Sequence, residues 1–163
     1  MLQPTTDPLV PIRVLTLADA PWAATVIRAA FAAQAMQTDP PSSALKETSE
    51  TIAALLMRGG GAGAESAGAL VGVVLWEEAE GGLYFGRLAV VPQWHGQGLA
   101  RRLIAAAEAE ARRRGLPRAH LSTRLVLADN RRLFAECGYR EVRLRSHPGY
   151  AEPTFVEMEK LLD

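Results

Sequence analysis

The run Leu88-Ala89-Val90-Val91-Pro92-Gln93-Trp94-His95-Gly96-Gln97-Gly98-Leu99-Ala100-Arg101-Arg102 constrains the fold more than any other part of the chain. It passes from an apolar strand, through a short loop of small and polar residues, directly into a helix. Leu99, Leu103, Ala107 and Ala111 recur every four residues on one face of that helix, and Arg112, Arg113 and Arg114 crowd the end where the helix dipole favours cations. Gly115 and Pro117 stop it. A return strand, read at residues 119–123, then lies parallel to the first, because a helical crossover joins parallel neighbours.

Around this crossover the remaining elements are antiparallel in character. Residues 69–76 form a nearly unbroken apolar strand, 77–82 a turn and 83–91 a second strand, which together predict a hairpin. Upstream, residues 12–17 alternate as a strand, and Asp19 is placed to cap a helix running to about residue 33 with Trp22, Val26, Ala30 and Ala33 toward the core. After a loop over 34–41, Ser43 caps a second helix whose stripe is Leu45, Ile52, Leu55 and Leu56, with Gly59 as its left-handed closing residue. Downstream, 130–137 reads as a helix, and 139–144 and 154–161 as strands. The order βααβββαβαββ predicts an α/β domain: a mixed central sheet of about seven strands flanked by about four helices, over residues 12–163 after a tail of 1–11.

Composition narrows the function classes. Eighteen basic residues balance eighteen acidic ones, so the excess of cations that phosphate-backbone binding needs is missing and no nucleic-acid partner is expected. The single cysteine, Cys137, has no partner for an internal disulfide and falls on the apolar side of its helix, and no paired Cys or His spacing predicts a metal site. Apolar stretches are interrupted before the ~20 residues a bilayer requires, and the first eleven residues lack the pattern of a secretory signal. The expectation is a soluble cytoplasmic protein with no membrane partner.

Two glycine clusters compete for attention. Gly96 and Gly98 stand at the mouth of a helix, where free amides carry partial positive charge and missing side chains admit close approach of a phosphate; they equally suit a tight strand-to-helix turn. The stretch lacks the Gly-Lys-Ser/Thr of a Walker loop, and Arg101 stands where a dinucleotide fingerprint needs Gly or Ala. The other cluster, Gly59-Gly60-Gly61-Ala62-Gly63-Ala64, formally fits that fingerprint but follows a helix and precedes a strand, the reverse of the binding context; it reads as a flexible linker.

Val90-Val91-Pro92 followed by His95-Gly96-Gln97-Gly98-Leu99-Ala100 resembles the acetyl-CoA loop of the GNAT superfamily of N-acetyltransferases. The stretch Asn130-Arg131-Arg132-Leu133-Phe134-Ala135-Glu136-Cys137-Gly138-Tyr139 resembles that superfamily's second signature, a helix ending in Gly and an aromatic residue. The resemblance implies a splayed sheet holding acetyl-CoA as co-substrate between the strand ending at Val91 and the strand 119–123. Carried over residue by residue, it gives the backbone of Leu88, Ala89, Val90 and Val91 to the pantetheine and carbonyl. The amides of Gly96, Gln97, Gly98, Leu99, Ala100 and Arg101 go to the pyrophosphate, with His95 supplying a donor where the superfamily usually has Arg or Gln. Asn130 either caps its helix or reaches the pantetheine, and Phe134 occupies the place where many members carry a Tyr that protonates the departing thiolate.

The activity so implied is transfer of an acetyl group to the amine of a small molecule or amino acid, directly within a ternary complex and without a metal. The amide of Val91 or a neighbour would stabilise the tetrahedral oxyanion. The alternative is a non-catalytic acyl-CoA-binding module of the same fold, and a homodimer is compatible with either. For the proton of the incoming amine the candidates are Tyr84 and His120, with Glu78 and Glu80 read as solvated turn residues. Arg124, just past the strand 119–123, is placed to grip a substrate carboxylate, and Tyr150 is a second residue of the acceptor rim.

Overall fold

The computed structural model describes residues 10–163, so most of the expected tail, residues 1–9, lies outside it. Seven strands form one mixed sheet in the order β1-β2-β3-β4-β5-β7-β6: β1 (Ile12–Val14), β2 (Gly60–Ser66), β3 (Ala69–Ala79), β4 (Gly82–Val90), β5 (Arg118–Arg124), β6 (Arg140–Arg145) and β7 (Phe155–Leu161). Only β4 and β5 run parallel, joined by the expected crossover through α3 (Leu99–Arg113). The other helices are α1 (Ala20–Ala32), α2 (Ser49–Arg58) and α4 (Ala128–Glu136). The mixed seven-stranded sheet with four helices is thus the architecture the sequence predicted.

Strand alternation assigns the two faces. On β3, Val73 and Leu75 pack with Ile27 of α1 and Ile52 of α2, whereas Val74 and Trp76 pack with Leu103 and Ile104 of α3 and Phe134 of α4. On β4 the alternation breaks. Leu83 and Phe85 face α3, but Ala89, of the same parity, faces α1 and α2. The cause is a bulge: Val73 pairs with Ala89 and Leu75 with Gly86, so Val74 is opposed by both Arg87 and Leu88. One extra residue reverses which side every later side chain points to. Arg87 sits at the bulge with φ of 53°, a left-handed conformation that costs a non-glycine residue roughly 1–2 kcal/mol.

Several local expectations are corrected. The stretch 59–64 is no linker: Gly60–Ser66 is strand β2, paired with β1 and β3. Its glycines answer to close packing. A Cβ on Gly61 would lie 2.5 Å from the Val74 carbonyl oxygen, and one on Gly59 would lie 1.8 Å from that of Trp76. Gly59 has φ of −135°, so it is not the left-handed terminator expected; the neighbouring strand, not the helix end, requires it. Asp19 does not cap α1, because its carboxylate accepts from Arg13 Nη1 and Nη2, both at 2.8 Å, and from the Thr16 amide at 2.7 Å. Trp22 is 52 % exposed, the core face of α1 being Ala20, Ala23, Ala24, Val26 and Ile27. The second helix is divided: a 3-10 turn over Ser43–Lys46, capped by Ser42, leaves Leu45 exposed, and α2 begins after a separate cap in which Thr48 and Thr51 bond reciprocally.

Candidate active site

The parallel pairing of β4 and β5 covers only Leu83 with Ala119 and Tyr84 with His120. Beyond it the strands part, since β4 follows its bulge toward β3 while β5 remains zipped to β7 through Arg124 opposite Phe155. The opening lies at the carboxyl ends of two parallel strands, the place where α/β sheets collect ligands. A cavity of about 470 Å³ fills it, walled by Tyr84 and Leu88 on β4, Ser122 and Arg124 on β5, and Asn130 and Phe134 on α4. Asn130 and Phe134 are one helical turn apart and so share a face. The capping role considered for Asn130 is excluded, for Leu127 is the N-cap residue of α4 and Asn130 stands inside its first turn.

Where β4 borders the opening, its hydrogen-bonding groups alternate. The Val91 amide donates to the Val71 carbonyl at 3.0 Å and is therefore turned toward β3. The expected oxyanion donor cannot be Val91 itself; alternation points the amide of its neighbour Val90 into the gap instead. His95 also differs from expectation. Its Nε2 donates to the Val90 carbonyl at 2.9 Å, so the ring braces the strand end and only Nδ1 is left for other partners.

Past His95 the chain presents a row of amides. Gly96 and Gly98 have φ of 77° and 79°, and Gly98 is the N-cap of α3 with no side-chain cap. No acceptor among the described residues takes the N–H groups from Gly96 to Arg101; the first amide of α3 to find one is that of Arg102, bonded to the Gly98 carbonyl at 3.1 Å. A Cβ at either glycine would meet no atom within 4 Å. Six donors, a helix dipole and open space together fit a diphosphate. Arg101 pairs with Glu136, tying this helix mouth to the end of α4.

The acid–base candidates separate on inspection. Tyr84 lines the cavity, whereas His120 is only 8 % exposed, packs edge-on to Tyr84 with ring centroids 5.4 Å apart, and donates from Nε2 to the Ala79 carbonyl at 2.8 Å. Burial pushes the His120 pKa down, which keeps the ring neutral. Glu78 is exposed and paired with Arg114 at 3.2 Å, and Glu80 is exposed at the hairpin tip. The carboxylate in the cavity wall is one the sequence reading passed over, Glu77, directly across the ladder from Tyr84. It was legible: Glu80 and Gly81, with φ of 53° and 75°, form the two-residue turn that favours such a Gly and fixes the register.

A segment between α1 and α2, residues 39–47, roofs the cavity and is held by side chains reaching from the sheet side. Tyr150 is exposed, and its hydroxyl donates to Asp39 Oδ1 at 2.5 Å. Arg124 Nη1 donates to the Pro40 carbonyl at 2.6 Å. Arg87 Nη2 donates to Ser43 Oγ at 2.8 Å and pairs with Glu47 at 3.0 Å, while Thr51 Oγ1 donates to the other Glu47 oxygen at 2.6 Å. The strained bulge residue thus carries the charge that neutralises the buried Glu47. Neither Arg87 nor Glu47 was singled out in the sequence, since their partnership spans forty residues and a bulge that no local pattern announces. Cys137 is half-buried against the α3 side of the sheet, and burial pushes its thiol pKa up.

Comparison with known proteins agrees with this geometry. The model of the acetyltransferase (GNAT) family matches residues 28–139. The chain belongs to the GNAT acetyltransferase family, enzymes whose acetyl donor is acetyl-CoA. No curated protein matches the sequence. Among solved structures it resembles PaiA N-acetyltransferase from Thermoplasma acidophilum in complex with coenzyme A, with 17 % identity, a TM-score of 0.75, and 93 % of this chain and 98 % of that one covered. It also resembles the ribosomal-protein-S18-alanine N-acetyltransferase of Escherichia coli, at 21 % identity, TM-score 0.73 and coverages of 93 % and 92 %. A GNAT family acetyltransferase from Elizabethkingia anophelis with acetyl-CoA bound gives 16 % identity, TM-score 0.72 and coverages of 96 % and 100 %. At these identities the likeness is one of fold. No helix among the described residues is long and apolar enough to cross a membrane.

Proposed function

We propose that this acetyltransferase acts on the primary amine of a small molecule or amino acid, by direct attack on the thioester within a ternary complex. The observation that carries the reading is the continuity of two features: a strand edge opened after Tyr84 and, at its end, six amides without an acceptor among the described residues. An extended amide ligand can add to such an edge, and its diphosphate can end at the helix mouth. Asn130 and Phe134 would border the thioester from the α4 side. The roofed cavity of about 470 Å³ is of the size that encloses small ligands, which favours a metabolite over a folded protein surface as acceptor.

In this reading the amine lone pair attacks the carbonyl carbon, the carbon–sulfur bond breaks, coenzyme A leaves as a thiolate with the bonding electron pair, and the acylated nitrogen gives up its remaining ammonium proton to that thiolate or to solvent. A lysine-like ammonium, with a pKa of about 10.4, must first lose a proton. Glu77 and Tyr84, facing each other across the β3–β4 ladder at the cavity wall, supply the route to solvent, with His120 behind Tyr84 orienting its ring. The amide of Val90 would stabilise the developing oxyanion. Phe134 has no proton to give, and a thiolate with a pKa of about 8.5 needs little help in leaving. The half-buried Cys137, its thiol kept protonated, offers no acyl-enzyme route.

The test is an initial-rate study of thiol release across a panel of primary amines. Direct transfer predicts double-reciprocal lines that intersect when acceptor is varied at several acetyl-CoA concentrations. Parallel lines, the signature of a covalent intermediate, would exclude it.

A further inference from the structure

We infer that the acceptor carries a carboxylate and that Arg124 binds it; the inference rests on the acetyltransferase reading of the same cavity. Two guanidinium groups line that cavity, Arg87 and Arg124. Arg87 is neutralised by Glu47 at 3.0 Å. Arg124 has no carboxylate oxygen within 4.0 Å among the described residues, although it stands half-buried at the end of β5. Its one hydrogen bond among the described residues is the donation from Nη1 to the Pro40 carbonyl, which orients the guanidinium and leaves its other four N–H donors without a partner among those residues.

A cation withdrawn from water without a counter-ion is unfavourable, and its retention in a ligand cavity calls for an anion that arrives with the ligand. The surrounding groups sharpen this. Asp39 is felt by Arg124 only from beyond ion-pair distance, and its carboxylate already accepts the Tyr150 hydroxyl. His147 lines the same wall and its pKa is lowered, first by burial and then by the charge of Arg124, so the ring adds no competing charge at neutral pH. Phe155, opposite Arg124 on β7, and Leu127 supply apolar walls. The one carboxylate in the lining, Glu77, lies on β3 across the opening and is paired with Arg58 at 3.3 Å. A planar fork with free donors matches a carboxylate in bidentate fashion, which a lysine ammonium could not do. The cavity is therefore polarised, with the anion-binding end at β5 and the carboxylate of Glu77 toward the amine end, and it suits an amino acid or a similar zwitterion.

The experiment compares kcat/KM for each proteinogenic amino acid with that for its carboxamide, in wild type and in Arg124→Ala and Arg124→Lys, while calorimetry follows coenzyme A binding to each protein. Wild type should prefer the acid of at least one pair by about 10- to 100-fold, the size of a lost charge-assisted pair. Arg124→Ala should bring that acid-to-amide ratio near one, and Arg124→Lys should restore only part of it. Coenzyme A affinity within about twofold of wild type identifies a folded variant with an intact donor site. Equal use of acids and amides by wild type overturns the inference, as does an acid preference that survives Arg124→Ala. Acetylation of no pair by an enzyme that still binds coenzyme A refutes the acceptor class alone; a wild-type protein that does not bind coenzyme A refutes the donor-site reading beneath it.

Discussion

Gly98 and Gly68 provide a matched pair of perturbations. Both are left-handed, with φ of 79° and 80°, and a Cβ at either would meet no atom within 4 Å. Gly98 stands at the mouth of α3; Gly68 turns the β2–β3 hairpin. Replacing either by Ala forces a Cβ into the left-handed region at a cost of about 1–2 kcal/mol, so Gly98→Ala and Gly68→Ala should lower stability to urea by similar amounts. Their effects on coenzyme A should diverge. A methyl group at Gly98 occupies the space through which a diphosphate reaches the amides of residues 96–101; losing one or two charge-assisted hydrogen bonds, at about 1.5–3 kcal/mol each, weakens binding by roughly 10- to 100-fold or more. Gly68→Ala should leave the Kd unchanged. Titration calorimetry with coenzyme A beside urea melts of the three proteins decides the matter. Equal destabilisation with an unaltered Kd for Gly98→Ala would mean that the row of free amides is a turn and nothing more.

Four further outcomes follow from the contacts. Glu47→Gln removes the charge that balances Arg87 under the roof and should cost about 2–3 kcal/mol, read as a lowered urea midpoint; an unchanged midpoint would show that water already screens the pair. Arg13 beside Asp19 holds its carboxyl at about 2, below the ordinary 3.8. Because the folded pKa is the lower one, this stabilisation is complete above about pH 4 and disappears as pH falls toward 2, so Asp19→Asn should flatten the acid limb of the stability profile in that window. The depressed pKa of His120 has the same sign at a higher pH: stability should begin to fall below about pH 6.5, where the unfolded chain takes up a proton that the buried ring resists, and His120→Asn should make that limb shallower, leaving the part that the lowered pKa of His147 contributes. Tyr84→Phe should lower kcat by about 10-fold or more with little effect on coenzyme A affinity; a normal kcat would remove Tyr84 from the proton route.

The parts of this molecule that were legible in sequence are those written in local patterns. The four-residue recurrence from Leu99 to Ala111 placed α3 and its buried face, all of whose stripe residues, Leu99, Leu103, Ala107 and Ala111, are in the core. The glycines at 96 and 98 marked the helix mouth because their backbone conformation is local as well. Long-range packing hid the rest. The glycines of β2 look like a linker until the Val74 and Trp76 carbonyls are laid against them. Trp22 fits a helical stripe, yet the sheet has small residues of α1 to receive instead. Arg87 and Glu47 meet only because a bulge turns one toward a roof contributed by the other, and Arg124 was recognisable as a candidate without any sign that its charge would go unanswered.

The roof leaves its mark on how such an enzyme can change. Residues 39–47 shape the side proposed for the acceptor, whereas the side proposed for the diphosphate is main-chain geometry set by α3 and β4. Substrate preference can thus drift by rewriting a few side chains of one connecting segment and their sheet-borne anchors, while the handling of the acyl carrier, written in backbone, is inherited unaltered.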